Sequence, residues 1–195
     1  MFVDSHVNLH GERYEKDLAD VLARADEAGI GAMLLISDRL DSVPEITTIA
    51  DQNAALTRSV GVHPHHAKDH ADLTAAQLVG LAEPQKVVGI GECGLDYYYE
   101  YSDRDVQKTV FAAHIAASQE TQLPLTVHTR DADDDMQAML EEAYKEQSFP
   151  LLLHCYTSGR KLMEAGLAMG GYVAFSGIVT FKKPRRSAPW PRTCR

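Results

Sequence analysis

Short apolar runs alternate with longer amphipathic segments along most of the chain. Runs such as VVGI and LLLHC are nearly continuous in hydrophobic residues, which is typical of strands buried on both faces of a parallel sheet. The pattern predicts strands at Phe2–His6, Ala32–Ile36, Arg58–His63, Val87–Glu92, Leu125–His128, Leu151–His154 and Tyr172–Phe175.

Between these runs, apolar residues recur at the spacing of one helix face. The clearest stripes are Tyr14, Leu18, Val21, Leu22 and Ala25, then the stripes that begin at Val106, Met136 and Leu162. Strands that alternate with helices predict an α/β fold, either an α/β barrel or a doubly wound sheet. No GxGxxG motif follows the first strand, which disfavours a dinucleotide-binding domain.

The composition indicates one globular domain, because the chain has 195 residues and 45% of them are hydrophobic. No apolar run reaches the roughly 18 residues of a membrane span, and the first residues do not resemble a secretory signal. The three cysteines, Cys93, Cys155 and Cys194, lie far apart and are odd in number. We therefore expect reduced thiols, a cytoplasmic location and no membrane partner.

The net charge of −9 argues against a large basic surface for binding nucleic acid. An acidic enzyme still acts on phosphates when bound cations supply the positive field. The charge therefore excludes one mode of binding to nucleic acid but does not exclude phosphate chemistry.

Potential metal ligands collect where the predicted strands end. They are His6 and Asn8; His63, His65 and His66 in GVHPHH; Glu92 and Asp96 in GIGECGLD; His128, Arg130 and Asp131 in VHTRDAD; and His154. In a barrel, the C-terminal ends of the strands meet on one rim, where the active site is built. The sequence thus predicts that these side chains converge.

Each histidine alone is more typical of a half-buried residue with a satisfied hydrogen bond, but their joint occurrence favours a metal site. A carboxylate such as Glu92 after a buried strand needs a partner, and it can bridge two cations. His128 and His154 would then complete the shell of a second cation as neutral imidazoles. In contrast, we expect His114 to be a packed or a surface residue of a helix rather than a ligand, and His10 to be solvated.

Two features allow more than one interpretation. The tyrosines after Asp96, in the segment DYYYEY, suit either stacking on a base or a packed loop. Arg130 is a bidentate phosphate ligand by chemistry, or a structural ion-pair partner of Asp131 or another neighbour.

Six segments resemble, in order, the successive blocks of the TatD family of metal-dependent hydrolases: VDSHVNLH, GVHPHHAK, VVGIGECGLDYYY, LPLTVHTRDADD, LLLHCYTSG and SGIVTFKK. The resemblance runs from Phe2 to about Lys183. It implies a (β/α)8 TIM barrel of the amidohydrolase-like superfamily, and a divalent-metal-dependent deoxyribonuclease that takes DNA as its substrate.

The resemblance also implies a set of site residues. His6 and Asn8 would hold the first of two divalent cations (Mg, Mn or Zn), Glu92 would bridge, and His128 and His154 would hold the second. His63 and His65 would face the phosphate or the metal rim. Asn8 stands where many members have His, and its amide oxygen suits Mg²⁺ better than zinc. Arg130 is our own catalytic candidate, for the charge of the scissile phosphate.

The C-terminal segment departs from the family pattern. Residues 1–183 match a TatD-type barrel domain, whereas 184–195, PRRSAPWPRTCR, form a basic tail unlike the family. We therefore expect about seven strands, with the eighth strand and its Asp missing through truncation or a frameshift. Open edges on the first and seventh strands would then destabilise the chain unless a partner, whose identity the sequence does not reveal, closes the barrel.

Three functions follow from these observations. The first is a two-metal deoxyribonuclease, with Glu92, His63 and Arg130 as the catalytic residues. The second is a metal-dependent amide or ester hydrolase on the same barrel, which is disfavoured because no Lys lies near the end of the fourth strand. The third is a catalytically impaired fragment that only binds metal.

Overall fold

A computed structural model describes residues 1–180 of the chain. Its strands form one sheet in sequence order, and every adjacent pair is parallel. The strands are β1 (Phe2–Val7), β2 (Ile30–Leu35), β3 (Leu56–Val60), β4 (Val87–Asp96), β5 (Leu125–Arg130), β6 (Leu151–Leu153) and β7 (Tyr172–Val173). The parallel sheet predicted from the continuous apolar runs is therefore confirmed.

Helices connect the strands in the manner of βαβ units. They are α1 (Leu18–Glu27), α2 (Val43–Asp51), α3 (Ala75–Ala82), α4 (Arg104–Thr121), α5 (Asp133–Glu146) and α6 (Arg160–Ala168). The predicted stripes correspond to α1, α4, α5 and α6, whereas the periodicity missed the short helices α2 and α3. Among the described residues, no helix has both the length and the apolar character to cross a membrane.

The sheet is an incomplete (β/α)8 barrel, as predicted. Among residues 1–180 it has seven strands, and β1 and β7 each pair with one neighbour only. Apolar residues are exposed at these edges, including Phe2, Val3 and Tyr172. The predicted tail at 184–195 lies outside the described residues.

Two buried clusters hold the strands against the helices. The larger one joins β3 to β6 with α3, α4 and α5, and includes Ile90, Phe111 and Leu140. The smaller one packs β2 against α2 through Leu35, Ile46 and neighbouring residues. Burial of these side chains stabilises the packing of the helices on the sheet, and the polar residues of the rim follow the strands of this core.

His114 is a buried structural residue on α4, which is one of the two placements that the sequence left open. Its Nε2 accepts a hydrogen bond from the backbone N–H of Val62 at 2.9 Å, and its Nδ1 donates to the carbonyl of Val110 at 2.7 Å. These two partners require the neutral ring. Burial in turn lowers the pKa of His114 from 6.5 to about 4.

We expect His114 to make the stability of the fold sensitive to acid. The pKa is lower in the folded chain than in the unfolded one, so the stability that the neutral ring contributes is complete above pH 6.5 and is lost as the pH falls toward 4. A shift of this size corresponds to roughly 3 kcal/mol. Urea denaturation of the parent and of His114→Gln between pH 4 and pH 7 measures it. As the pH falls, the free energy of unfolding should decrease more in the parent than in the variant. An equal decrease in both proteins would contradict this role.

Candidate metal centre

Glu92 lies at the centre of a histidine cluster on the C-terminal rim of the barrel. Its carboxylate is buried on β4, and its Oε2 lies 3.3 Å from Nε2 of His6. The other oxygen, Oε1, lies 3.2 Å from Nδ1 of His128 and 3.8 Å from Nε2 of His63. Five strands contribute to this cluster, since His63 follows β3 and His154 directly follows β6.

The donor atoms form two groups that share Glu92. One group is His6, Glu92 and His154, and the other is His63, Glu92 and His128; in each, the donor atoms lie within 4.8 Å of one another. The rings of His6 and His154 stack with centroids 3.7 Å apart. Two imidazoles with a carboxylate are a usual ligand set for a catalytic divalent cation, which leaves positions for water and substrate.

A second observation fits bound metal. Nδ1 of His6 is buried and makes no hydrogen bond within residues 1–180. Buried polar atoms without a partner are rare in folded proteins, and those that occur mark strain or function. The residues of this rim therefore fit the divalent cations that the family resemblance implies.

Asp96 contacts two histidines at this rim through its carboxylate. Its Oδ2 lies 3.2 Å from Nε2 of His128 and 2.9 Å from Nε2 of His65. Its Oδ1 accepts hydrogen bonds from the backbone N–H groups of Tyr98 and Tyr99. A carboxylate in this position fixes the orientation of a ligating imidazole. The sequence placed Asp96 at the end of the fourth strand without indicating this role, although its even spacing from Glu92 along one strand was a usable signal.

Glycines allow the strands below the cluster to approach closely. A Cβ on Gly94, whose φ is +137°, would lie 2.0 Å from the carbonyl oxygen of His128. A Cβ on Gly61 would lie 2.5 Å from Cα of Gly91 on the neighbouring strand. These contacts bring β3, β4 and β5 together, so that their terminal side chains meet at Glu92.

Hydrogen bonds shift the pKa values of Glu92 and His128 in opposite directions. Burial acts to raise the pKa of Glu92, but hydrogen bonds with His128 and His6 outweigh it and hold this pKa well below its usual range. Burial also opposes the charged form of His128, yet its hydrogen bonds to Asp96 and Glu92 raise its pKa to about 9. As a member of the second donor group, His128 would have to release this proton before it could ligate a cation.

Two further imidazoles of the cluster, His63 and His154, have lowered pKa values. Burial lowers the pKa of His63 to about 3, and the nearby His128 acts in the same direction. Burial also lowers the pKa of His154 to about 4. Neutral imidazole is the form that ligates metals, so both rings are available as donors.

The sharing of a cation by His128 and His154 remains a prediction. In the structure, the donor atoms of His154 lie close to those of His6, and those of His128 lie close to those of His63. Asn8 follows β1 and is exposed, so its role as a ligand remains a prediction.

The structure also gives the surroundings of Arg130 and His10. Arg130 ends β5, with its guanidinium carbon 3.9 Å from the ring centroid of Tyr98, and its catalytic role also remains a prediction. His10, which we expected to be solvated, instead lies half-buried with Nε2 3.4 Å from Asp38.

A model of the family described as TatD related DNase matches residues 3–189. The chain belongs to the TatD family. The predicted membership is therefore confirmed over almost the whole chain.

Several curated relatives resemble the chain over most of its length. It is 38% identical over 183 residues to the uncharacterized metal-dependent hydrolase YcfH of Escherichia coli, covering 92% of this chain and 68% of YcfH. It is 33% identical over 176 residues to the 3'-5' ssDNA/RNA exonuclease TatD of Shigella flexneri, covering 90% of this chain and 67% of that protein.

Solved structures show the same fold. The crystal structure of the TatD homolog YjjV from Escherichia coli superposes with a TM-score of 0.84 at 23% identity, covering 95% of this chain and 71% of that one. A TatD family hydrolase from Entamoeba histolytica gives a TM-score of 0.76 at 27% identity, covering 89% of this chain and 64% of that one. The chain therefore spans roughly two thirds of the length of these proteins.

Proposed function

We propose that this TatD-family metal-dependent hydrolase cleaves phosphodiester bonds of nucleic acid, DNA included, with two divalent cations. The observation that carries the proposal is the buried Glu92 carboxylate, which belongs to both groups of potential ligands. The family description and the relatives named as ssDNA/RNA exonucleases support a nucleic acid as the substrate.

In this proposal each donor group holds one cation. The first group is His6, Glu92 and His154, and the second is His63, Glu92 and His128. Imidazole and carboxylate ligands suit Mn²⁺ and Zn²⁺, and a contribution from Asn8 would favour Mg²⁺. Divalent cations in such a site supply positive charge to a phosphodiester and make water more acidic.

The chain's own residues then have distinct tasks. Glu92 joins the two donor groups, and Asp96 orients His128 through the 3.2 Å contact with its Nε2. His63 lies against both His128 and Glu92, so its Nε2 would either hold the second cation or contact the phosphate. Arg130 would balance the charge of the scissile phosphate.

A cytoplasmic location remains a prediction. The free thiols of Cys93 and Cys155 are consistent with such a reducing compartment.

We expect the protein to cleave a labelled single-stranded oligonucleotide in the presence of Mg²⁺ or Mn²⁺ and to lose this activity in a chelator. His63→Ala removes a donor from the second group, and the rate should fall about 100-fold. A time course of product formation on a gel measures both effects.

His66→Ala is the matched control, because His66 comes from the same GVHPHH segment and belongs to neither donor group. It should keep the parental rate. Nuclease activity that survives the chelator would contradict the proposal. Hydrolysis of amide or ester substrates without any cleavage of DNA would identify the second function, and metal binding without turnover would identify the third.

A further inference from the structure

Three exposed tyrosines form a cluster in the loop that follows β4. We call Tyr98, Tyr99 and Tyr101 the tyrosine cluster; their exposed fractions are 53%, 41% and 56%. Large aromatic side chains favour burial, so three of them on one exposed loop are an unusual surface for a soluble domain. Of the catalytic groups proposed above, Glu92 and His63 have no ring or ion-pair contact with these tyrosines, whereas Arg130 packs on two of them.

The rings of the cluster are ordered against one another. Tyr99 and Tyr101 stack with an interplanar angle of 18° and centroids 5.3 Å apart, and Tyr98 meets Tyr99 edge-on at 4.8 Å. The guanidinium carbon of Arg130 lies 3.9 Å from the ring centroid of Tyr98 and 4.5 Å from that of Tyr99. Arg130 thereby holds the tyrosine cluster to the end of β5 and adds positive charge to it.

The tyrosine cluster is continuous with the metal centre. The ring of His65 meets Tyr101 edge-on at 4.8 Å and Tyr99 at 5.3 Å. Nε2 of His65 lies 2.9 Å from the carboxylate of Asp96, and Asp96 contacts His128 of the second donor group. His65 and Asp96 therefore connect the exposed rings to His128, which is a potential metal ligand.

We propose that the tyrosine cluster binds an unpaired nucleobase of the substrate next to the scissile phosphate, by stacking on Tyr99 and Tyr101. This inference rests on the proposed nuclease function. Because the chain carries a net charge of −9, phosphate contacts alone provide little general attraction for a nucleic acid, and stacking provides attraction without basic residues. Stacking also tolerates any base and requires that the base be unpaired, which selects single strands.

Equilibrium binding tests the inference without cleavage. The probes are a fluorescein-labelled oligothymidylate of about 12 nucleotides and an abasic tetrahydrofuran oligomer of the same length, measured by anisotropy in EDTA. The parent should bind oligothymidylate about tenfold more tightly than the abasic strand. Tyr101→Leu should remove this difference, and Tyr101→Phe, which keeps the ring, should retain it. Equal affinity of the parent for the two probes would overturn the inference.

Tyr172→Leu is the matched control, because Tyr172 is 76% exposed on β7 and makes no ring contact with the cluster. It should bind both probes as the parent does. Loss of the preference in this variant as well would show that the effect does not come from the tyrosine cluster, and would overturn the inference.

Steady-state cleavage with Mn²⁺ separates this inference from the proposed function. Tyr101→Leu should raise KM for oligothymidylate about tenfold and change kcat by less than about twofold. If the parent cleaves DNA and Tyr101→Leu has unchanged KM, the stacking site is wrong and the nuclease stands. If the parent cleaves neither strand but binds oligothymidylate preferentially, the nuclease proposal is wrong and base binding by the tyrosine cluster stands.

Discussion

Glu92→Gln should reduce metal-dependent cleavage by at least about 10²–10³-fold. The substitution preserves the volume of the side chain but removes the negative charge that both donor groups share. His6, His63 and His128 would then face a neutral amide, which is a poor bridge between two cations. Initial rates with saturating Mn²⁺, together with metal content after dialysis, measure the loss of activity and its cause.

Glu142→Gln is the control for this prediction, since Glu142 is exposed on α5 and the change in charge is the same. It should keep the parental rate and metal content. Circular dichroism should show that Glu92→Gln is folded, because a misfolded variant would lose activity for another reason. A folded Glu92→Gln variant with parental activity would contradict the assignment of the metal centre.

Gly94→Ala should cost about 3–5 kcal/mol in the free energy of unfolding. The added Cβ would lie 2.0 Å from the carbonyl oxygen of His128, and the φ of +137° is a conformation that residues with side chains rarely adopt. The contact is with backbone, which cannot rotate away as a flexible side chain can. A loss of this size is a large part of the stability of a typical domain, so the yield of soluble protein should also fall. Urea denaturation measures the change.

Gly89→Ala is the matched control on the same strand. A Cβ there would lie 3.5 Å from the carbonyl oxygen of Pro124, which is an ordinary van der Waals contact. The free energy of unfolding should change by no more than about 1 kcal/mol. Equal losses in Gly89→Ala and Gly94→Ala would show that the close approach of β4 to β5 does not limit stability.

The sequence predicted the sheet well and the ends of its strands less well. Continuous apolar runs identified all the strands from β1 to β7, because burial on both faces leaves a strong local pattern. The pattern placed His63 and His154 on strands, whereas β3 ends at Val60 and β6 ends at Leu153. Strand ends depend on pairing with neighbours, and pairing partners are far apart in the sequence.

The convergence of the site was predictable, but its internal arrangement was not. The rule that parallel strands end on one rim was enough to expect His6, Glu92 and His128 in one place. Which imidazoles share a side of Glu92 depends on the register of β4 against β5 and on side-chain orientation. Local sequence carries no information on either, so the sequence did not predict the stacking of His154 on His6.

The sequence by itself determined the fold class, the family and the residue types on the rim, because periodicity and motif order are properties of the chain alone. Only the tertiary structure decided that Asp96 orients His65 and His128, that His10 pairs with Asp38, and that Arg130 packs on tyrosines. The physical reason is that each of these contacts joins residues at least 28 positions apart, whose distance depends on how the strands pack.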